Sequence, residues 1–266
     1  MSRGGARRVL IAALAVGLGG SLVGCAGTRA EIATTFREGR EAQRNYDEGR
    51  ARYDAGDYAG AIPHFQRTLT LDPRYDEAEA SLAWSYYHLA RYPDATRHFR
   101  QVLTRQPRWE GPWNGLGWSR YRAGRYDLAI EAFQEAVSLD PRYRDAAVGL
   151  AYSYFELGNY PEALPHLARL TREGEGHIFQ SPTADVEEVR ARTAWCLYYV
   201  GQHEKASAQF AKGLQAHSDW YGLHSGLGWT YLKLGDRAKA RESFQRALQL
   251  KPDYADAHTG LAQASQ

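Results

Sequence analysis

Proline, phenylalanine and alanine recur along this chain at a fixed interval of 34 residues: Pro73, Pro107 and Pro141; Phe65, Phe99 and Phe133; Ala61, Ala95 and Ala129. A period of that length points away from an ordinary globular domain and toward a solenoid of stacked helix-turn-helix units. The clearest copy runs from Trp113 to Pro141. Its first helix ends at the Ala123-Gly124 turn, and its second carries apolar or small residues at Ala129, Ile130, Phe133, Ala136 and Val137 before stopping at Asp140-Pro141. Those intervals fit 3.6 residues per turn, and the glycine and proline supply the punctuation.

Six such units can be placed. The first spans about 42–75, turning at Gly56, and its Glu48 stands where later units have Leu, as suits a terminal repeat whose outer face has no neighbour. The second runs over 76–109 with its turn at Leu89-Ala90-Arg91-Tyr92, the third contains the clearest copy, and the fourth starts near Arg144 and turns at Gly158. There the period breaks: Gly124 to Gly158 is 34 residues, whereas Gly158 to Gly201 is 43. The extra nine residues fall within 171–185 (TREGEGHIFQSPTAD), a loop-like composition in which Ser181 or Asp185 is a cap for the next helix and His177, Ile178 and Phe179 are candidates for an additional contact. The fifth and sixth units, 187–220 and 221–254, restore the interval, and 254–266 reads as a single closing helix.

These residues resemble the tetratricopeptide-repeat family, whose pattern is a bulky residue, Leu-Gly, Tyr, Gly-x-Tyr, Ala, Phe, Ala and Pro. The third unit supplies Trp113, Leu116-Gly117, Gly124, Tyr126, Ala129, Phe133, Ala136 and Pro141, with Arg120 for the first Tyr. The sixth supplies Leu227-Gly228, Tyr231, Gly235, Ala240, Phe244, Ala247 and Pro252, while the fifth departs at His203 and Ser218. The resemblance covers 42–266 and implies an all-α tetratricopeptide-repeat superhelical solenoid. In it, small residues such as Gly117, Ala151, Ala194 and Gly228 let helices approach, and Phe99, Phe133, Leu167, Phe210 and Phe244 fill the space between layers.

One regularity exceeds what stacking requires. Trp84, Trp118, Tyr152, Trp195 and Trp229 occupy one place in units two to six, and Tyr87, Tyr121, Phe155 and Tyr198 follow three residues later, with Leu232 last. Residues three apart share a helix face, so stacked first helices carry a double aromatic column. Resemblance to the family implies that both columns line a concave groove where partners bind. Flat apolar rings with a polar handle suit extended peptides or sugar rings. His88, Arg122, Glu156, Tyr199 and Lys233 follow the second column, and their mixed charge argues against a strongly anionic ligand. The competing reading places the same rings in the core between neighbouring first helices.

The N-terminus has its own logic. Arg3, Arg7 and Arg8 precede the apolar run 9–16, small residues and then Leu22-Val23-Gly24-Cys25. Basic start, short apolar core and small residues describe a secretory signal, here residues 1–24. Leu-Val-Gly-Cys resembles a bacterial lipobox, which implies lipidation of Cys25, membrane attachment through acyl chains and, with Ala26 next, an outer-membrane position facing the periplasm. Residues 25–41 then read as a polar, alanine-rich spacer whose later part can already be helical. The chain has 33 basic and 31 acidic residues, and without the leader's three arginines 30 oppose 31, so no basic surface for nucleic acid remains. Cys196 lies in the apolar run 194–198 and reads as a buried filler with no disulfide partner.

Motifs for catalysis are absent: no phosphate loop, no His-Glu-x-x-His, no Cys pair at metal spacing, no nucleophile elbow. His64, His98 and His166 recur at one place on second helices, on successive layers rather than around one point, so no metal or cofactor is expected. The combined expectation is a lipid-anchored, non-catalytic scaffold of the bacterial envelope that holds a protein or peptide partner, with cell-wall glycan as the other ligand class. Lipoproteins of this build include the pilus-assembly pilotins, which the chain resembles.

Overall fold

The computed structural model describes residues 24–174 and 186–266, the side chains of 24–33 and 173–174 excepted. The described residues form thirteen helices and no strand. Six antiparallel pairs follow one another: α1 (Gly24–Asp54) with α2 (Tyr58–Leu71), α3 (Asp76–His88) with α4 (Tyr92–Arg105), α5 (Glu110–Arg122) with α6 (Tyr126–Leu139), α7 (Arg144–Glu156) with α8 (Tyr160–Gly174), α9 (Val186–Tyr199) with α10 (His203–Ala216), and α11 (Tyr221–Lys233) with α12 (Arg237–Leu250). A single helix, α13 (Ala255–Ala264), closes the series.

The turn inside each pair needs a left-handed residue. Gly56, Gly124, Gly158, Gly201 and Gly235 supply it with φ between 71° and 81°, and in the second pair Ala90 adopts φ 57° without glycine's freedom. Asp57 and Asp236 then cap α2 and α12 by accepting from the backbone N–H of Gly60 and Lys239.

Contacts between pairs set the curvature. Each odd-numbered helix touches the next odd-numbered one, from α1 with α3 through to α11 with α13, whereas no two even-numbered helices touch. The odd helices therefore form the inner, concave layer and the even helices the splayed outer one. Fully buried rings join the layers: Phe65, Phe99, Phe133, Phe210 and Phe244 have no exposed surface. Phe133 presses against Gly117 of its own repeat and Gly149 of the next, and Phe244 against Gly228 and Gly260 in the same way. A Cβ at Gly117 would stand 2.6 Å from the Phe133 ring and one at Gly228 2.7 Å from Phe244, and the approach at Gly149 and Gly260 is closer still.

Two boundaries differ from the sequence reading. The spacer 25–41, expected to be helical only in its later part, is helical throughout and continuous with the first repeat, so Cys25 lies at the first turn of a 31-residue helix. Ala42 is where that helix enters the core, and Phe36, 49% exposed, lies before that point. At the insertion, residues 171–174 prolong α8 instead of opening a loop, because Thr171 is buried with its hydroxyl 2.9 Å from Thr193 of α9. The leader up to Val23 and residues 175–185, with His177, Ile178, Phe179, Ser181 and Asp185, lie outside the described residues. No described helix is long and apolar enough to cross a membrane.

Three stability outcomes follow from this packing and its turns. Gly149→Ala forces a methyl group into the Phe133 ring and is expected to cost on the order of 2 kcal/mol in urea unfolding, whereas Gly39→Ala, with nothing within 4 Å, gains about 0.5–1 kcal/mol of helix propensity. Ala90→Gly relieves the left-handed strain and is expected to raise the unfolding free energy by about 1 kcal/mol, read from the same transition.

A candidate binding groove on the inner helices

The inner layer brings the expected aromatic columns together in register. Each tryptophan of the first column meets the phenylalanine of its own repeat edge-on: Trp84 and Phe99 at 5.2 Å and 78°, Trp118 and Phe133 at 5.2 Å and 75°, Trp195 and Phe210 at 5.3 Å and 81°, Trp229 and Phe244 at 5.4 Å and 78°. The second column stands across the first, with Tyr87, Tyr121 and Tyr198 at 5.4–5.5 Å from Trp84, Trp118 and Trp195 and nearly perpendicular. Such geometry suits the ring quadrupoles.

Burial divides the columns. Trp118 is 2% and Tyr152 3% exposed, so in repeats three and four the first column sits inside the layer. Trp84, Trp195, Trp229, Tyr87, Tyr121, Phe155 and Tyr198 are half-buried on the same inner helices. Burial thus assigns Trp118 and Tyr152 to the core and leaves the other members of the ladder partly open to solvent. Burial lifts the phenols, with Tyr121 pushed up to about 12 and Tyr87 also raised, so they stay neutral donors.

The residues after the second column connect one repeat to the next. His88 stacks on Tyr58 of the preceding repeat at 4.2 Å and 10°, and its Nε2 lies 3.0 Å from the Tyr53 hydroxyl. Tyr199, 52% exposed, stacks on Tyr160 at 4.2 Å and 12°. Between these stacks lies an ionic cluster that the sequence reading missed. Tyr121 donates to Glu156 at 3.1 Å, Arg192 pairs with Glu156 at 2.7 Å, and the Arg192 guanidinium lies over Tyr152 and Phe155 at 4.1 and 5.0 Å. Burial works to lower the guanidinium's pKa; the Glu156 hydrogen bond and the neighbouring phenols and carboxylates outweigh it and raise it. The signal was visible in the alignment of repeats: Arg192 stands where the third, fourth and sixth repeats have Gly115, Gly149 and Gly226, and the facing Phe has become Leu167.

The other singled-out residues are placed as follows. His98 Nδ1 lies 2.7 Å from Glu79, His64 3.3 Å from Glu48, and His166 stacks on Tyr154, so each histidine has a partner in its own layer. Among the described residues no cluster of three His, Cys, Asp or Glu is arranged to hold a metal ion. Cys196 is fully buried, which pushes its thiol up to about 12, far from a nucleophile's range.

Three family models, each described as tetratricopeptide repeat, match residues 52–116, 114–178 and 222–254, together more than half of the chain. Among solved structures, YrrB, a TPR protein with an unusual peptide-binding site, is 20% identical with a TM-score of 0.65 over 73% of this chain and 96% of its own. PilF of Pseudomonas aeruginosa is 17% identical with a TM-score of 0.66 over 86% of this chain and 99% of its own. MamA of Desulfovibrio magneticus is 16% identical with a TM-score of 0.60 over 68% and 97%. Identities of this order show a shared fold. No curated protein matches the sequence.

The ionic cluster yields a test. Arg192→Met keeps the apolar stem but leaves Glu156 without its cation, and it is expected to lower the unfolding free energy by about 1–3 kcal/mol. A double-mutant cycle with Glu156→Gln is expected to recover most of that loss as pairwise coupling.

Proposed function

This chain belongs to the tetratricopeptide-repeat family, whose fold is that of a protein–protein interaction scaffold, and from that premise we propose a lipid-anchored, non-catalytic scaffold of the bacterial cell envelope that captures a peptide or protein segment along its inner face. The observation that carries the reading is the half-exposed aromatic surface that continues from repeat to repeat on the odd-numbered helices. Rings held rigidly by the core present apolar area at low entropic cost, which suits a bound segment. The peptide-binding site described for YrrB lies on the same fold and supports a polypeptide ligand. PilF, similar over nearly its whole length, shares the fold, and the envelope setting rests on the N-terminal sequence.

The anchor part of the proposal rests on Leu22-Val23-Gly24-Cys25. A lipidated Cys25 would begin α1, and the part of that helix before Ala42 would hold the repeats away from the bilayer as a stiff spacer. The position of Ala26 favours the outer membrane, facing the periplasm.

Both parts are open to one experiment on the full-length protein in a diderm bacterium. A photo-crosslinking phenylalanine analogue at Tyr199 or Arg122, on the inner layer, is expected to attach a discrete polypeptide, and one at Gln134 or Gln245, on outer helices, is not. Crosslinks confined to the outer positions, or cell-wall fragments in place of polypeptide, would overturn the peptide reading. Cys25→Ser is expected to move the protein from the membrane to the soluble fraction, and unchanged fractionation would remove the anchor.

A further inference from the structure

Each repeat's first-column residue has a partner place in the following repeat, 27 residues on where no insertion intervenes. At two junctions that place holds an acid that caps the indole: Trp118 Nε1 donates to Asp145 Oδ2 at 2.9 Å, and Trp229 Nε1 to Asp256 Oδ2 at 3.0 Å. A second donor, four residues before the tryptophan, reaches the same oxygen, Asn114 at 2.7 Å and Ser225 at 2.5 Å. The same register at Trp84 and Trp195 gives Gly111 and Gly222 for the acid, and Ala80 and Ala191 for the second donor. Acceptor and second donor have disappeared together, twice.

What remains at these two junctions is an apolar notch with one donor. Among the described residues the Nε1 of Trp84 and of Trp195 meets no acceptor, and neither is sealed from solvent. A Cβ at Gly111 would meet only the Trp109 indole, at 3.4 Å, and one at Gly222 only the Trp220 indole, also at 3.4 Å. At each of these junctions the glycine thus lies beside a second indole, and the two places that elsewhere hold the acid and its second donor supply no charge.

We infer that these notches are paired anchor sites for one extended, uncharged peptide stretch, each taking an apolar residue with its backbone carbonyl on the indole N–H. The inference rests on the reading of the inner face as a polypeptide groove and names the ligand's chemistry. A carboxylate entering either notch would lack the second donor that accompanies Asp145 and Asp256, and a cation would face an N–H dipole, whereas a neutral carbonyl needs only the one donor. The junctions between the two notches are closed by Asp145 and by the Arg192 cluster, so a free indole donor is offered at two points of the inner face. Three junctions of roughly 10 Å each, the spacing of packed helices, separate the anchors by on the order of 30 Å, or about nine residues of extended chain.

Gly111→Asp and Gly222→Asp test this by placing in each notch the carboxylate that other junctions already hold. The substitutions fall in the first turn of α5 and α11, where an acid is favoured and the backbone is ordinary, so folding is expected to persist. A random 12-residue phage library is selected on the full-length wild-type protein, and the strongest clone is made as a fluorescein-labelled peptide for anisotropy. The expected consensus has two apolar residues about nine apart with no charge at either. Each single variant is expected to weaken that peptide at least about tenfold, as loss of an apolar anchor and its hydrogen bond together demands, at a melting temperature no lower than that of the wild type. Without ligand, the indole N–H signals of Trp84 and Trp195 are expected to exchange quickly and those of Trp118 and Trp229 slowly, the first pair becoming protected in the variants. Equal binding to wild type and the double variant, with loss in Tyr121→Ala/Tyr199→Ala, would overturn the notches and leave the groove. A consensus carrying a charge at the anchor places, or a self-associated dimer that the aspartates dissociate, would overturn the neutral peptide as occupant. Binding untouched by all four substitutions would remove the groove itself.

Discussion

A benzyl ring wedged between two glycines holds one layer of this solenoid to the next: Phe133 between Gly117 and Gly149, Phe244 between Gly228 and Gly260. The ring comes from an outer helix and the glycines from two successive inner helices, so one side chain fixes three helices at once. Removing Cβ from the inner helices lets their backbones close on the ring, and burial of a large apolar side chain, about 1.5–3 kcal/mol, recurs at every layer, with Leu167 in place of phenylalanine in the fourth. The inner helices are thereby drawn together while the outer ones stay apart, and the concave surface is a consequence of that asymmetry.

The groove and the core are consequently two sides of one packing unit. Each tryptophan of the ladder meets its phenylalanine edge-on, so its orientation is set by the same ring that stacks the repeats. A binding surface built this way loses little entropy on ligand capture because its side chains are already fixed. It also means that truncating Trp118, 2% exposed, removes core before it removes groove.

The repeat boundaries, the glycine turns and the buried phenylalanines were legible in the sequence because each depends on a local rule repeated in phase. The left-handed turn at Ala90 shows that the fold tolerates one exception when its neighbours obey. The helical state of residues 25–41 was harder to read: their alanines, glycines and charges carry no apolar stripe, and helix follows there from continuity with Ala42 and Tyr46 in the first core layer. Whether the aromatics face core or groove was not decidable from period alone, since the same position is sealed at Trp118 and half-open at Trp84. The Arg192 cluster escaped notice for a related reason. Alignment by period rewards what recurs, and this pair of changes, Arg for Gly and Leu for Phe, occurs once.

Individuality in such a chain lies at its junctions. Every layer repeats the phenylalanine or its leucine stand-in, but the residues between layers differ: acids at Asp145 and Asp256, glycines at Gly111 and Gly222, a cation at Arg192. An acid beneath an indole satisfies its N–H internally and locks two inner helices through a charge-assisted hydrogen bond. A glycine there gives up that lock and leaves the donor for an outside partner. Arg192 does the opposite at the junction with the insertion, tying repeats four and five through Glu156 where the shorter Leu167 leaves the phenylalanine contact unmade. Stability and recognition are therefore exchanged junction by junction along one scaffold, and the order in which locked and open junctions follow one another is the part of the sequence that no repeat consensus carries.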